Sequence, residues 1–259
     1  MLWNRLNEKD MSLITIVKPN WDAPVKVSAC CTTRAGGVSL QPFDGLNLAG
    51  HVGDNEQSVT TNRSLLKDQL SLPAEPCWLS QTHSTRVASL ERCGTYNADV
   101  DAAITRDVDT IAVVMTADCL PILLCNREAT EVAAVHAGWR GLADGIIEKT
   151  LDKMNSGCGQ LLAWIGPAIS QPRFEVGDEV REIFARNNPA AEARFIANRP
   201  GHWLCDLPGL ALDILAHQGV NSVKLSGLCS FEDETRFFSY RREKVTGRMA
   251  SMIWINSTT

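Results

Sequence analysis

The sequence predicts a single-domain layered α/β sandwich with mixed β-sheets, spanning residues 1–259. Three observations lead there. Short apolar runs without polar alternation recur along the chain, the mark of strands buried on both faces. Segments with helical spacing lie between them. After residue 160 strands and helices mix without strict βαβ alternation, and no repeat, low-complexity tract or long linker divides the chain.

Taken in order, residues 25–33 are rich in β-formers and alternate in part, so they read as a strand. The Gly loop Arg34-Ala35-Gly36-Gly37-Val38-Ser39 follows. Residues 55–70 have helical spacing, with Val59, Leu65, Leu66 and Leu70 on one side and Asp54 as the N-cap. Residues 111–115, 121–125 and 131–136 are short apolar runs with β-branched residues, expected as buried strands. Residues 141–154 read as one helix, stopped by Asn155-Ser156-Gly157-Cys158-Gly159. Residues 161–165 form a strand that ends at Gly166-Pro167. Residues 177–187 and 207–218 look helical, and residues 222–225 and 248–255 complete the strand set.

Bulk properties narrow the function. A chain of 259 residues buries roughly three quarters of its unfolded surface, so it folds without structural metal or disulfides. Its net charge of -5 argues against nucleic acid, which selects a basic stripe. No apolar run approaches the ~20 residues of a membrane span. Residues 1–10 lack the apolar core of a signal peptide. The nine cysteines include no Cys-x-x-Cys pair and read mostly as buried free thiols, which suits a reducing cytoplasm. Whether the chain is a monomer or a homodimer is left open.

The chemistry concentrates between Met115 and Gly141. There Asp118-Cys119-Leu120-Pro121 and His136-Ala137-Gly138-Trp139-Arg140-Gly141 lie at the ends of apolar runs, where α/β proteins gather their sites. His83 lies upstream in Gln81-Thr82-His83-Ser84. Two imidazoles and a thiolate with an open fourth position make a catalytic zinc composition. The same residues fit a Cys–His hydrolase, with Cys119 as nucleophile, His136 as base and Asp118 orienting the imidazole. They also match a blue-copper set with Met115 as axial ligand. Five histidines are too few for an electron-transfer copper plus a trinuclear cluster, so an ordinary multicopper laccase would need ligands pooled from several chains. A core thiol and two backbone-bonded histidines are the purely structural reading. Zinc nucleobase deaminases carry His-x-Glu and Pro-Cys-x-x-Cys, and both are absent. For anions, Arg34 beside Gly36 and Gly37 offers a backbone nest with a guanidinium, and Arg140 and Arg241 are further candidates. Trp139 and Tyr240 are candidates to stack on a planar base.

These residues also carry a family likeness. The segments are Thr33-Arg34-Ala35-Gly36-Gly37-Val38-Ser39, Leu46-Asn47-Leu48, His51-Val52-Gly53-Asp54, Asn62-Arg63 and Gln81-Thr82-His83. They continue with Thr116-Ala117-Asp118-Cys119-Leu120-Pro121, His136-Ala137-Gly138-Trp139-Arg140-Gly141 and Ile165-Gly166-Pro167. Phe237-Phe238-Ser239-Tyr240-Arg241-Arg242 and Thr246-Gly247-Arg248 close the series. In this order and over nearly the whole chain, they resemble the bacterial polyphenol-oxidoreductase laccase-domain family, regarded as zinc-dependent purine nucleoside phosphorylases and including a peptidoglycan editing factor. One departure is that members often have Val before the first His, where this chain has Thr82.

The resemblance implies a four-layer α/β/β/α fold similar to cysteine-hydrolase toxins. It implies Zn2+ held by His83, Cys119 and His136, which also carry the catalysis. It implies purine nucleoside and phosphate as partners, with phosphorolysis of adenosine, inosine and methylthioadenosine and deamination of adenosine. The matched motifs supply an expected substrate-binding set of Arg34, Gly36, Gly37, His51, Trp139, Arg140 and Arg241. Amide hydrolysis of cell-wall precursors and copper-dependent phenol oxidation remain the alternatives.

Overall fold

The computed structural model describes residues 13–91 and 96–257. Its strands are β1 (Ile16–Val17), β2 (Val27–Thr32), β3 (Leu79–Ser80), β4 (Val87–Leu90), β5 (Tyr96–Asp99), β6 (Ala102–Thr105), β7 (Ala112–Thr116) and β8 (Leu120–Asn126). They continue as β9 (Val132–Ala137), β10 (Leu161–Ile165), β11 (Glu175–Gly177), β12 (Phe195–Arg199), β13 (His202–Cys205), β14 (Ser222–Leu225) and β15 (Met249–Ile255). The α-helices are α1 (Glu56–Gln69), α2 (Trp139–Ala143), α3 (Ile146–Lys153), α4 (Asp178–Asn187), α5 (Leu207–His217) and α6 (Tyr240–Glu243).

Two sheets dominate. One has the order β1-β2-β15-β7 and is antiparallel throughout. The other has the order β14-β10-β8-β9-β6-β4 and is mixed, with parallel pairs at both edges. Residue alternation shows how the sheets stack, because neighbours along a strand face opposite sides. In β8, Leu120, Ile122 and Leu124 enter one apolar cluster while Leu123 and Cys125 enter another. In β15, Met249 and Ile253 share the second cluster, whereas Ala250, Met252 and Trp254 join a third with Leu66 of α1. The first cluster also holds Ile147 of α3, Val180 of α4 and Leu210 of α5. The layers therefore run α1, four-stranded sheet, six-stranded sheet, α2–α5. This is the α/β/β/α sandwich the family resemblance implied, and the continuous apolar runs are explained because both faces of each sheet are covered.

Several sequence expectations need adjusting. Residues 141–154 form two helices, not one, because Gly145 takes φ 92° and breaks the turn between Ala143 and Ile146. The cap of α1 is Asn55, whose side chain accepts from the Ser58 amide. Asp54 instead accepts from Ser39 Oγ and Asn47 Nδ2. The short strands β4 and β6 were missed, since small residues such as Ala88, Ala102 and Ala103 carry little β signal. Among the described residues no helix is long and apolar enough to cross a membrane.

Candidate active site

The chain passes from one sheet to the other between β7 and β8, and Cys119 sits on that crossing, one residue before β8. His136 is the penultimate residue of the antiparallel neighbour β9, in register with Pro121. It follows Val132 and Ala134 on the face turned toward the layer between the sheets. His83 lies in the loop after β3, in the left-handed region at φ 60°. Their ligand atoms converge within 4.8 Å of one another. Cys119 Sγ is 3.7 Å from His83 Nε2, and the two imidazoles meet edge to face at 4.8 Å between centroids. Among the described residues this is the one group of three or more His, Cys, Asp or Glu side chains that can hold a metal. Gly138 closes its floor. A Cβ there would stand 2.6 Å from His83 Cδ2 and 3.1 Å from Cys119 Sγ, so only glycine fits.

Sequence reasoning missed the residue that assembles the site. Asp101, fully buried, accepts from the amides of Thr82, His83 and Ser84, from Ser84 Oγ, and from His136 Nδ1 at 2.8 Å. Burial alone would raise its pKa. The hydrogen bonds from His136 and Ser84 outweigh that and hold it at about 2. As an ionised carboxylate it only accepts, so His136 Nδ1 carries a proton and Nε2 is left for a metal or the thiolate. Gln81 fixes the same loop, bonding the backbone N and O of Met115. Burial opposes the Cys119 thiolate, but His136 and His83 lower its pKa to about 6. Burial likewise opposes a charged His136, but Asp101 and Cys119 raise its pKa to about 9.

Asp118 does not orient His136, contrary to the Cys–His hydrolase reading. Its carboxylate accepts from Ser230 Oγ, Ser239 Oγ and the Arg241 amide, tying the β7–β8 crossing to the loop that precedes α6.

The cluster opens into a cavity of about 490 Å³. His51, Trp139, Arg140, Tyr240 and Arg241 line it, together with Thr116 and Arg248, which belong to the matched motifs, and Lys244, which the sequence did not single out. Ile169, Phe174 and Leu207 give it an apolar wall on the helical side. Arg140, Arg241, Lys244 and Arg248 have no ion-pair partner among the described residues. Arg140 stacks on Trp139 at 4.4 Å.

Arg34, Gly36 and Gly37 lie elsewhere, in a separate depression. Arg34 is already neutralised by Asp44 at 2.9 Å and Glu243 at 3.1 Å, and it covers the Phe238 ring. Gly37, at φ 79°, allows the loop to pack against Gly45 O and Asn62 Oδ1, where a Cβ would clash. The Gly loop is thus packed closely against its own turn, apart from the cavity of the His83, Cys119 and His136 group.

Residues 28–256 match the family of multi-copper polyphenol oxidoreductase laccases. The chain belongs to that family. Curated relatives include the purine nucleoside phosphorylase YfiH of Shigella flexneri, 46% identical over 93% of this chain and 98% of the relative. Another is the purine nucleoside phosphorylase PA4543 of Pseudomonas aeruginosa, 44% identical over 92% and 97%. The crystal structure of Neisseria meningitidis protein NMB0706 superposes with a TM-score of 0.88 at 42% identity, covering 93% of this chain and 99% of that one. YlmD from Geobacillus stearothermophilus gives 0.85 at 28% identity, over 90% and 93%. His202 lies on β13 and His217 ends α5, and neither lines the cavity of His83 and His136.

Proposed function

We propose that this chain is a zinc-dependent purine nucleoside phosphorylase acting on adenosine, inosine and methylthioadenosine. The observation that carries the reading is the convergence of His83, Cys119 and His136 on a cavity lined by unpaired cations and an apolar wall. The relatives' names support it. Two imidazoles and a thiolate suit zinc, and the hydrogen bond from His136 Nδ1 to Asp101, which fixes the ring and leaves Nε2 open, is the usual support for such a ligand. Zinc held by His83, Cys119 and His136 would supply Lewis acidity at this end of the cavity.

The chain's own residues account for the rest. Trp139, Phe174 and Leu207 offer flat apolar surface to a purine. The cationic lining attracts phosphate and shields its charge beside the oxocarbenium-like sugar. An oxygen of phosphate bonds to the anomeric carbon as the C–N bond breaks. The bonding pair leaves with the base, and the hydrogen of HPO4(2-) ends on a base nitrogen. Deamination of adenosine belongs to the same proposal. Asp118, the only carboxylate lining the cavity among the described residues, is committed to Ser230, Ser239 and Arg241, so another group must carry that proton.

A thiolate beside an imidazolium is also the resting pair of a Cys–His hydrolase, which keeps a second reading alive. A nucleoside panel with and without phosphate, read by product chromatography and paired with metal analysis, separates the two. Phosphate-dependent release of free base by protein holding near one equivalent of zinc supports the first. Metal-free protein that cleaves amides and leaves nucleosides intact overturns it.

Zinc affinity should depend on pH in a defined sense. Zinc needs the Cys119 thiolate and a neutral His136 Nε2. Above pH 6 the thiolate is already formed, while His136 keeps its proton up to about pH 9. Binding near pH 7.5 therefore displaces about one proton from this pair, and below pH 6 about two. Affinity should rise with pH up to about 9 and fall more steeply below 6. Calorimetry in buffers of different ionisation enthalpy counts the protons, and zinc uptake that releases none at pH 7.5 contradicts the assignment.

A further inference from the structure

We propose that Thr116 and Arg248, at the adjoining ends of β7 and β15, form the oxyanion subsite that holds inorganic phosphate for nucleoside cleavage. The inference rests on the phosphorolytic reading and replaces Arg34 and its Gly loop in that role. Thr116 is in register with Met249, the residue after Arg248, and both Thr116 and Arg248 line the cavity of the metal-ligand cluster.

Two unsatisfied groups meet there. Thr116 is 1% exposed, and its hydroxyl has no hydrogen-bond partner among the described residues. Buried hydroxyls are almost always bonded, so an orphan beside a cavity is open to a water or to a ligand. The hydroxyl has no bond to lose and is free to turn toward an arriving acceptor. Arg248 is the second group. Its amide donates to Asn47 Oδ1, and its Nη1 donates to the carbonyls of Thr246 and Gly247. That anchoring leaves Nε and Nη2, the two donors on one edge of the guanidinium, without a partner among the described residues. This edge is the fork that grips two oxygens of a phosphate. A half-buried guanidinium without a carboxylate partner favours an anionic ligand.

Arg140 and Arg241 are placed differently. Arg140 lies on Trp139, and Arg241 Nη1 donates to the carbonyls of Arg173 and Glu175, whereas Lys244 and Arg248 both stand over the Tyr240 ring, at 5.4 Å and 5.9 Å. Arg140 and Arg241 thus lie on the wall expected to take the base, over Trp139 and Phe174. Phosphate on Thr116 and Arg248 would approach from the four-stranded sheet, across the metal-ligand cluster from Phe174 and Leu207. The sugar would then lie between nucleophile and base, as the displacement requires.

The experiment uses the zinc-loaded full chain and four variants: Thr116→Val, Thr116→Ser, Arg248→Gln and Arg34→Ala. Initial rates are measured against phosphate at saturating inosine, and against inosine at saturating phosphate. Thr116→Val should raise the KM for phosphate about tenfold, the worth of one hydrogen bond to a charged group. Thr116→Ser should restore it. Arg248→Gln should raise it by about a hundredfold, since two charge-assisted bonds are lost. The KM for inosine should stay within about twofold in each, because neither group is placed against the nucleoside. Arg34→Ala should leave the phosphate KM unchanged. Equal loss for both substrates, or a phosphate defect in Arg34→Ala alone, overturns the proposal. If the wild type shows no phosphorolysis, the functional reading fails first. Calorimetric titration with inorganic phosphate and with a nucleoside 5′-monophosphate then decides the subsite. Phosphate binding weakened by Thr116→Val and Arg248→Gln upholds it. No phosphate binding, or a response confined to the nucleotide, overturns it.

Discussion

Replacing Cys119 with alanine should remove bound zinc and phosphorolysis together while leaving the fold in place. Cys119 is one of three converging ligand atoms, and its thiolate is the only anionic one. Loss of a second-shell partner already weakens metal binding about 10–100-fold, so loss of this ligand should exceed that range. The structural cost should be small, below about 2 kcal/mol, because Cys119 is only half-buried on the crossing between sheets and a cavity there opens toward solvent. Zinc content by elemental analysis, turnover, and a urea melt on the same preparation make the test. A variant with full zinc and full activity would end the metal-site reading. Cys30→Ala and Cys158→Ala serve as controls, since neither belongs to the ligand group.

Asp101→Asn should show the opposite balance, with stability and metal affinity lost together. The carboxylate accepts three backbone amides, a hydroxyl and the His136 ring. An amide side chain of the same size has one accepting oxygen, and its NH2 group faces donors. Buried donors left unpaired cost about 1–3 kcal/mol each, so a loss of about 3–5 kcal/mol is expected. Zinc affinity should fall about 10–100-fold because His136 loses the bond that fixes its ring. Denaturant melts with and without zinc separate the two effects. A variant that melts like the wild type and keeps its zinc would show that the loop and the ring are held by something else.

The difference between these two residues marks what the sequence reveals. Cys119, His136 and His83 were legible because their side chains are metal ligands and two of them end apolar runs. Asp101 was not, since a lone Asp before the small-residue strand β6 has no distinguishing spacing. Its partners are brought to it by the fold, and His136 lies on a different strand. Thr116 stands in a matched motif, but its orphan hydroxyl was not legible, since an orphan exists only relative to neighbours that the fold supplies. The Gly loop misled in the other direction. Arg34 with Gly36 and Gly37 has the composition of an anion nest, but Asp44 and Glu243, remote in the chain or across the loop, claim the guanidinium. Strands β8, β9, β10 and β15 were readable as continuous apolar runs. Gly145 was a helix-breaking signal that the surrounding apolar periodicity concealed.

The place of β15 between β2 and β7 bears on how the protein is made. During translation β2, β7 and all three metal ligands leave the ribosome well before residues 249–255. Until that last strand arrives, β2 and β7 have no common neighbour, and each presents an unpaired edge in a nascent chain rich in apolar surface. His83, Cys119 and His136 precede Arg248 in the chain, so the group able to hold a metal is synthesised before the strand that completes the sheet and before the guanidinium that lines the cavity beside it. Closure of the four-stranded sheet and completion of the cavity wall therefore depend on one segment, the one that leads from Arg248 into β15.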